Sequence, residues 1–176
     1  MAEETGMKRK KTAALVLSTI GTALLILVIV LCLPITIPRL FGYSIYTVVS
    51  GSMEPAIPIG SLVYTKEIAP ENVAEGDVIA FYSSDQSGAV ITHRVVTNRV
   101  ISGDFITKGD ANDTNDLTPI PYDNLVGKVS MTIPFMGRYL SAIATPFGRI
   151  ATACLVAIAV ILQLMAGRMR REERQD

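Results

Sequence analysis

The sequence predicts a mainly β fold, a small antiparallel sheet domain strung between two membrane-crossing α-helices. Three features predict it. No residue from Thr12 to Pro38 is charged, a second apolar run covers 150–167, and the residues between change to short alternating runs broken by Gly, Pro, Asn and Asp. An apolar run of about 20 residues spans a bilayer core, whereas short period-two runs between turn residues read as strands.

The chain opens on a basic tail, residues 1–11, whose Lys8, Arg9, Lys10 and Lys11 abut the first span at 12–38. The core of that span, TAALVLSTIGTALLILVIVLCL, exceeds the roughly 7–15 apolar residues of a cleaved signal peptide, and no small-x-small site follows it cleanly. It is expected to remain as an anchor. Residues 39–138 are the expected β-rich domain. Its candidate strands are Ser44–Val49, Ser61–Lys66, Asp77–Tyr82, Ala89–Val100, Asp104–Lys108 and Leu125–Thr132, with Pro55, Pro58 and Pro70 in loops. Phe41, Tyr43 and Tyr46 either anchor a membrane interface or pack as ordinary strand residues. The second span is assigned to 139–167. Its apolar run IATACLVAIAVILQLMAG starts at Ile150, and an earlier start near Tyr139 follows if Arg149 lies at the interface. The last segment, 168–176, carries Arg168, Arg170, Arg171 and Arg174. Basic clusters outside the far ends of both spans put both tails in the cytoplasm by the positive-inside rule, and the middle on the extracytoplasmic side. From Leu40 to Arg138 there are 11 acidic and 6 basic residues, a balance consistent with translocation.

Counting removes several chemistries. The chain has 16 basic and 16 acidic residues, which argues against nucleic-acid binding. Cys32 and Cys154 lie within apolar runs and form neither a disulfide framework nor a CxxC pair. A single histidine, His93, excludes sites that need two or three imidazole ligands. No cofactor and no metal are expected.

The long run AVITHRVVTNRVISGDFITKGD holds Ser102-Gly103-Asp104 between two β-branched stretches, which suggests a hairpin. With the turn centred near Gly103, partner numbers across the ladder total about 205–207, and His93 stands opposite about 112–114, flanked by Asp110, Asp113 and Asp116. Alternation puts His93 on the inward face with Ile91 and Val95, and sends Thr92 and Arg94 to the other face. A lone inward histidine is either a hydrogen-bonded core residue or a base. Ser52, between Gly51 and Met53 in VVSGSMEPAIPIG, is either turn chemistry or an exposed nucleophile at a strand end. In Lys108-Gly109-Asp110-Ala111-Asn112-Asp113-Thr114-Asn115-Asp116 the carboxylates either orient the imidazole or cap the turn; the run faintly resembles a calcium loop but lacks the glycine and terminal glutamate of that pattern. Asn112-Asp113-Thr114 is also a glycosylation sequon, informative only in a eukaryotic lumen.

Taken together, Ser52 in SGSMEP, EGDVIAFY, His93 in THRVV, TKGDANDTND and LVGKV resemble the successive motifs of type I signal peptidase. They are most similar to its Ser–His branch, found in the endoplasmic reticulum, archaea and some Gram-positive bacteria. The resemblance covers Tyr46 to Val129. It implies a membrane-bound serine endopeptidase that removes signal peptides from secretory preproteins after small residues at −1 and −3, with no cofactor. By position it implies Ser52 as nucleophile, His93 as general base, and Asp116 and Asp110 as catalytic carboxylates. Which of the two meets the imidazole stays open. It further implies Ser50, Gly51 and Met53 at the oxyanion and substrate-binding position. Lys108 corresponds to the lysine of the family's KGD motif and is read as a structural or substrate-side charge. The implied partners are signal-peptide-bearing preproteins and the lipid bilayer, with accessory subunits or the Sec translocon left open. The implied location is the cell membrane, or the endoplasmic reticulum membrane in a eukaryote. Only fourteen residues, Arg39 to Ser52, tether the nucleophile to the first span, about 46 Å at about 3.3 Å per residue. Two rival readings are a non-catalytic membrane-anchored β domain acting as a binding module and a related self-processing peptidase.

Overall fold

An uncharged run in lipid can satisfy its backbone only as a helix, and Ala2–Leu40 forms one continuous helix, α1. The computed structural model describes residues 2–84 and 88–172. It divides into two compact units, Met1–Pro34 with Ile143–Asp176, and Ile35–Ala142.

The second unit carries seven strands: β1 (Tyr43–Thr47), β2 (Leu62–Lys66), β3 (Val78–Tyr82), β4 (Val90–Arg99), β5 (Asp104–Lys108), β6 (Ile120–Pro121) and β7 (Leu125–Ile133). They form one antiparallel sheet in the order β1-β2-β7-β3-β4-β5-β6. Six of them fall within two residues of the expected strands, because β-branched and apolar residues alternate there; the two-residue β6 is too short to leave a period. On one face Val73, Ile79, Phe81, Val95, Phe105 and Ile120 form a buried cluster. Met53, Ile57 and Val63 form a second, and Leu62, Tyr64 and Leu140 a third that gathers Tyr43 and Ile45. Tyr43 is therefore a packing residue, while Phe41 stays exposed.

Two expectations need correction. In the β4–β5 hairpin Arg94 pairs with Lys108 and Arg99 with Asp104, so partner numbers total 202 to 203, with a bulge after Val95. The expected 205–207 assumed a tight turn at Gly103. Instead the amides of Ser102 and Gly103 both donate to the carbonyl of Arg99, making a four-residue loop over 100–103. His93 pairs across β3 with Ile79.

The second correction concerns Tyr139. It belongs not to a span but to a short helix, α2 (Met136–Ala144), which lays Leu140 against Leu62 and Tyr64. Its Gly137 donates to the Gly60 carbonyl at 2.9 Å, and a Cβ there would lie 2.6 Å from the Ser61 carbonyl oxygen, so only glycine allows this approach. The chain then breaks. Pro146 opens α3 (Pro146–Glu172), and the Thr145 hydroxyl accepts the Gly148 amide at 3.0 Å as its cap.

In the first unit, Lys11–Leu40 and Pro146–Arg171 are long and apolar enough to cross a membrane, with mean hydropathies of 2.8 and 2.3. They fit membrane association. Their contact follows small residues about two turns apart: Ala14 and Gly21 on α1, Ala159 and Ala166 on α3, all buried. Gln163 fastens it, donating to the Thr22 hydroxyl at 2.6 Å and the Ser18 carbonyl at 3.2 Å. Arg174, expected in the C-terminal basic cluster, lies outside the described residues.

Candidate active site

Strand alternation decides what His93 can meet. Its ring lies on the face of β4 that carries Ile91 and Val95, edge-on to Phe81 with centroids 6.2 Å apart. The side chain is 12 % exposed and Nδ1 lies 2.6 Å from Oδ2 of Asp116. A carboxylate accepts, so Nδ1 carries the proton and Nε2 is left as the basic nitrogen. Asp116 is itself held twice by Thr107: its amide donates to the Thr107 carbonyl at 2.8 Å, and the Thr107 hydroxyl donates to Oδ2 at 2.5 Å. Thr107 is fully buried. Its role went unread in the sequence, although a threonine in line with core-facing Phe105 needs an internal partner and is a usable signal.

Arg94, next along the strand, points to the opposite face and takes the other carboxylate. Its Nε and Nη2 donate to Oδ1 and Oδ2 of Asp110 at 2.8 and 2.6 Å, and its Nη1 donates to the Gly76 carbonyl at 2.8 Å. The hydrogen bond to Asp110 raises the guanidinium above its ordinary value against the opposing effect of partial burial. Asp110 thus pairs with Arg94, and Asp116 with His93.

Ser52 sits in the turn after β1. The turn is closed below by the Val48 amide donating to the Ser61 carbonyl and the Gly60 amide to the Val48 carbonyl, at 2.9 and 2.8 Å. The Gly51 carbonyl accepts the Glu54 amide at 3.0 Å. Met53 is 2 % exposed and packs with Ile57 and Val63, so its side chain anchors the turn to the sheet. Ser50 is exposed. The Ser52 carbonyl accepts the Ala111 amide at 2.9 Å. Gly109 permits this: a Cβ there would stand 2.6 Å from the Ser52 carbonyl oxygen and 2.8 Å from Nδ2 of Asn112. The 107–116 segment therefore grips the Ser52 backbone at one point and the His93 ring at another. Among the described residues no hydrogen bond joins the Ser52 hydroxyl to the imidazole; such bonds commonly close only with substrate in place. Among the same residues no group of three or more His, Cys, Asp or Glu side chains could hold a metal. Asp113 and Asn112 are exposed and Lys108 is half-buried.

Residues 19–112 match the family described as signal peptidase, peptidase S26. The chain belongs to that family. Signal peptidase I W of Bacillus subtilis (strain 168) is 40% identical over 92 residues, covering 50% of this chain and 47% of that protein. The signal peptidase complex catalytic subunit SEC11 of Ogataea parapolymorpha is 29% identical over 141 residues, 68% of this chain and 78% of that protein. The human signal peptidase complex catalytic subunit SEC11C is 28% identical over 103 residues, 53% of each chain. The chain thus spans about half the length of the Bacillus and human relatives. The signal peptidase match takes in Ser52, His93 and Asp110 but ends before Asp116, so the pairing of Asp116 with the ring rests on geometry.

Proposed function

We propose that this chain is a membrane-bound serine endopeptidase that cuts signal peptides from secretory preproteins after small residues at −1 and −3. The observation that carries the reading is the 2.6 Å contact of Nδ1 with Asp116, which leaves Nε2 basic in a histidine whose partner segment also holds the Ser52 backbone. Nε2 of His93 takes the Ser52 hydroxyl proton as Oγ bonds the scissile carbonyl carbon. The oxyanion is held by the Ser52 amide and the Ser50 hydroxyl. As the C–N bond breaks, the imidazolium returns its proton to the leaving nitrogen, and a water deprotonated by the same ring releases the acyl group. Asp116 orients the ring and stabilises its cationic form. Asp110 acts through Arg94 as a positioning residue for the turn that carries Ala111.

Both apolar helices cross the membrane in this reading, with the basic tails in the cytoplasm and the sheet domain outside. The active site lies on the extracytoplasmic side of the cell membrane, or on the lumenal side of the endoplasmic reticulum. The relatives named as catalytic subunits of a signal peptidase complex support accessory subunits as partners; the Sec translocon is the natural source of substrate.

The test incubates the detergent-solubilised full chain with a preprotein and determines the masses of the products. Cleavage after small residues at −1 and −3 is expected. Ser52→Ala and His93→Ala should each lower turnover by about 10⁴–10⁶-fold with the fold retained. Near-normal cleavage by either purified variant would end the assignment.

A further inference from the structure

Beside His93 and Asp116 the sheet domain opens into a cavity of about 370 Å³, walled mainly by apolar Phe81, Ile91, Leu117 and Ile120, with the hydroxyl-bearing Ser83, Ser84 and Thr118 also on its lining. None of residues 50–53, the turn carrying Ser52, lines it. We propose that this cavity receives the side chain of the first residue of the released chain, that it favours an aliphatic one, and that Leu117 sets the preference. The inference rests on the Ser52 and His93 reading, because it follows from how that reaction divides its substrate.

In acyl transfer the two halves of the substrate go to different groups. The acyl half becomes bonded to Ser52, so its side chains lie along the serine turn. The amine half must receive a proton from His93, so its first residue lies against the imidazole. Space that borders the base and its carboxylate, but not the turn of the nucleophile, belongs to the amine half. Its size, near the lower end for ligand sites, suits one side chain with its flanking backbone.

The walls select the chemistry. Phe81 and Ile120 are buried at 2 % and 6 % exposure and give an apolar floor. Leu117, directly after Asp116, is 100 % exposed. A leucine held wholly in water beside a charged carboxylate gains from being covered, and an entering aliphatic side chain would cover it. Oδ2 of Asp116 is already engaged by His93 and Thr107, so an entering acidic side chain would meet a carboxylate with no spare counter-charge.

The experiment uses the full chain in detergent and preproteins identical except for Ala, Leu or Asp at the first position after the cut. The expected kcat/KM is about tenfold higher for Leu than for Ala, and about tenfold lower for Asp. Leu117→Ser should bring the Leu-to-Ala ratio close to one, whereas Ile101→Ser, at the exposed β4–β5 tip, should keep it. A flat series in the wild type, or a ratio that survives Leu117→Ser, overturns the pocket while the cleavage itself upholds the Ser52 and His93 reading. Failure to cut any of the three substrates removes that reading and the pocket together.

Discussion

Replacing Gly109 with alanine tests whether the 107–116 segment positions the serine. The new Cβ would meet the Ser52 carbonyl oxygen at 2.6 Å, where ordinary contact begins at 3.4 Å, so Ser52 and the turn must separate by about 0.8 Å. The obstruction is backbone on one side and the Asn112 amide on the other, and the Ala111 to Ser52 hydrogen bond at 2.9 Å lies across the same gap. A displacement near 1 Å at a reacting group costs about 10²-fold in rate, so kcat should fall about 30- to 100-fold. Overpacking of this kind also costs about 1–3 kcal/mol of stability. The assay is single-turnover cleavage at saturating preprotein, alongside thermal unfolding of the same sample. Gly103→Ala is the control. Its φ of +72° strains any side chain, but nothing lies within 4 Å of the new Cβ, so it should lose about 1–2 kcal/mol and keep its kcat. If folded Gly109→Ala turns over within about twofold of wild type, or if Gly103→Ala loses as much kcat at equal stability, the positioning argument is wrong.

The two carboxylates should separate by assay. Asp116→Ala is expected to lower kcat by about 10²–10⁴-fold with the fold intact, whereas Asp110→Asn, which loosens the segment whose Ala111 amide holds the Ser52 carbonyl, should lower kcat only about tenfold and cost about 1–2 kcal/mol of stability; equal effects on kcat would refute the division. Thr107→Val removes the hydroxyl on Asp116 without changing shape and should lower kcat about three- to tenfold, with Thr107→Ser restoring it, as stopped-assay kinetics would check. Gln163→Leu should weaken the contact between the two apolar helices by about 0.6–1.7 kcal/mol, read as lower disulfide cross-linking between cysteines placed along that contact, and unchanged cross-linking would deny the clasp.

Much of this architecture is legible in the sequence because burial leaves a period. Alternation located the main strands, and unbroken apolar runs located the long helices. What stayed hidden depends on loop geometry. Val100 is β-branched and reads as the end of a strand, yet it and Ile101 are 54 % and 103 % exposed in the hairpin loop, and the register differs from the expected one by about three residues. α2 reads as a continuation of the following apolar run; only Gly137 and Pro146 mark it as a separate helix docked on the sheet. At the site, the motifs around Ser52, His93, Asp110 and Asp116 were visible, but their pairing was not. Asp116 reaches the ring because the chain doubles back after Gly109 until its amide meets Thr107, a fold-back with no periodic signature.

That pairing follows from the period of a strand. Adjacent residues on β4 face opposite ways, so His93 and Arg94 reach the two ends of one segment from two sides of the sheet. The inward imidazole takes the carboxylate braced by Thr107, and the outward guanidinium takes Asp110 in a two-pronged contact suited to its planar fork. Exchanging the partners would put a permanent cation against Phe81 and Ile91, where burying it costs far more than burying an imidazole that can stay neutral. The segment is therefore pinned at 110 and at 116, and Ala111, one residue from the first pin, presents its amide to the Ser52 carbonyl. One strand thereby fixes His93 directly and Ser52 at one remove, so a fault at Arg94 should be felt at Ser52 before it is felt at His93.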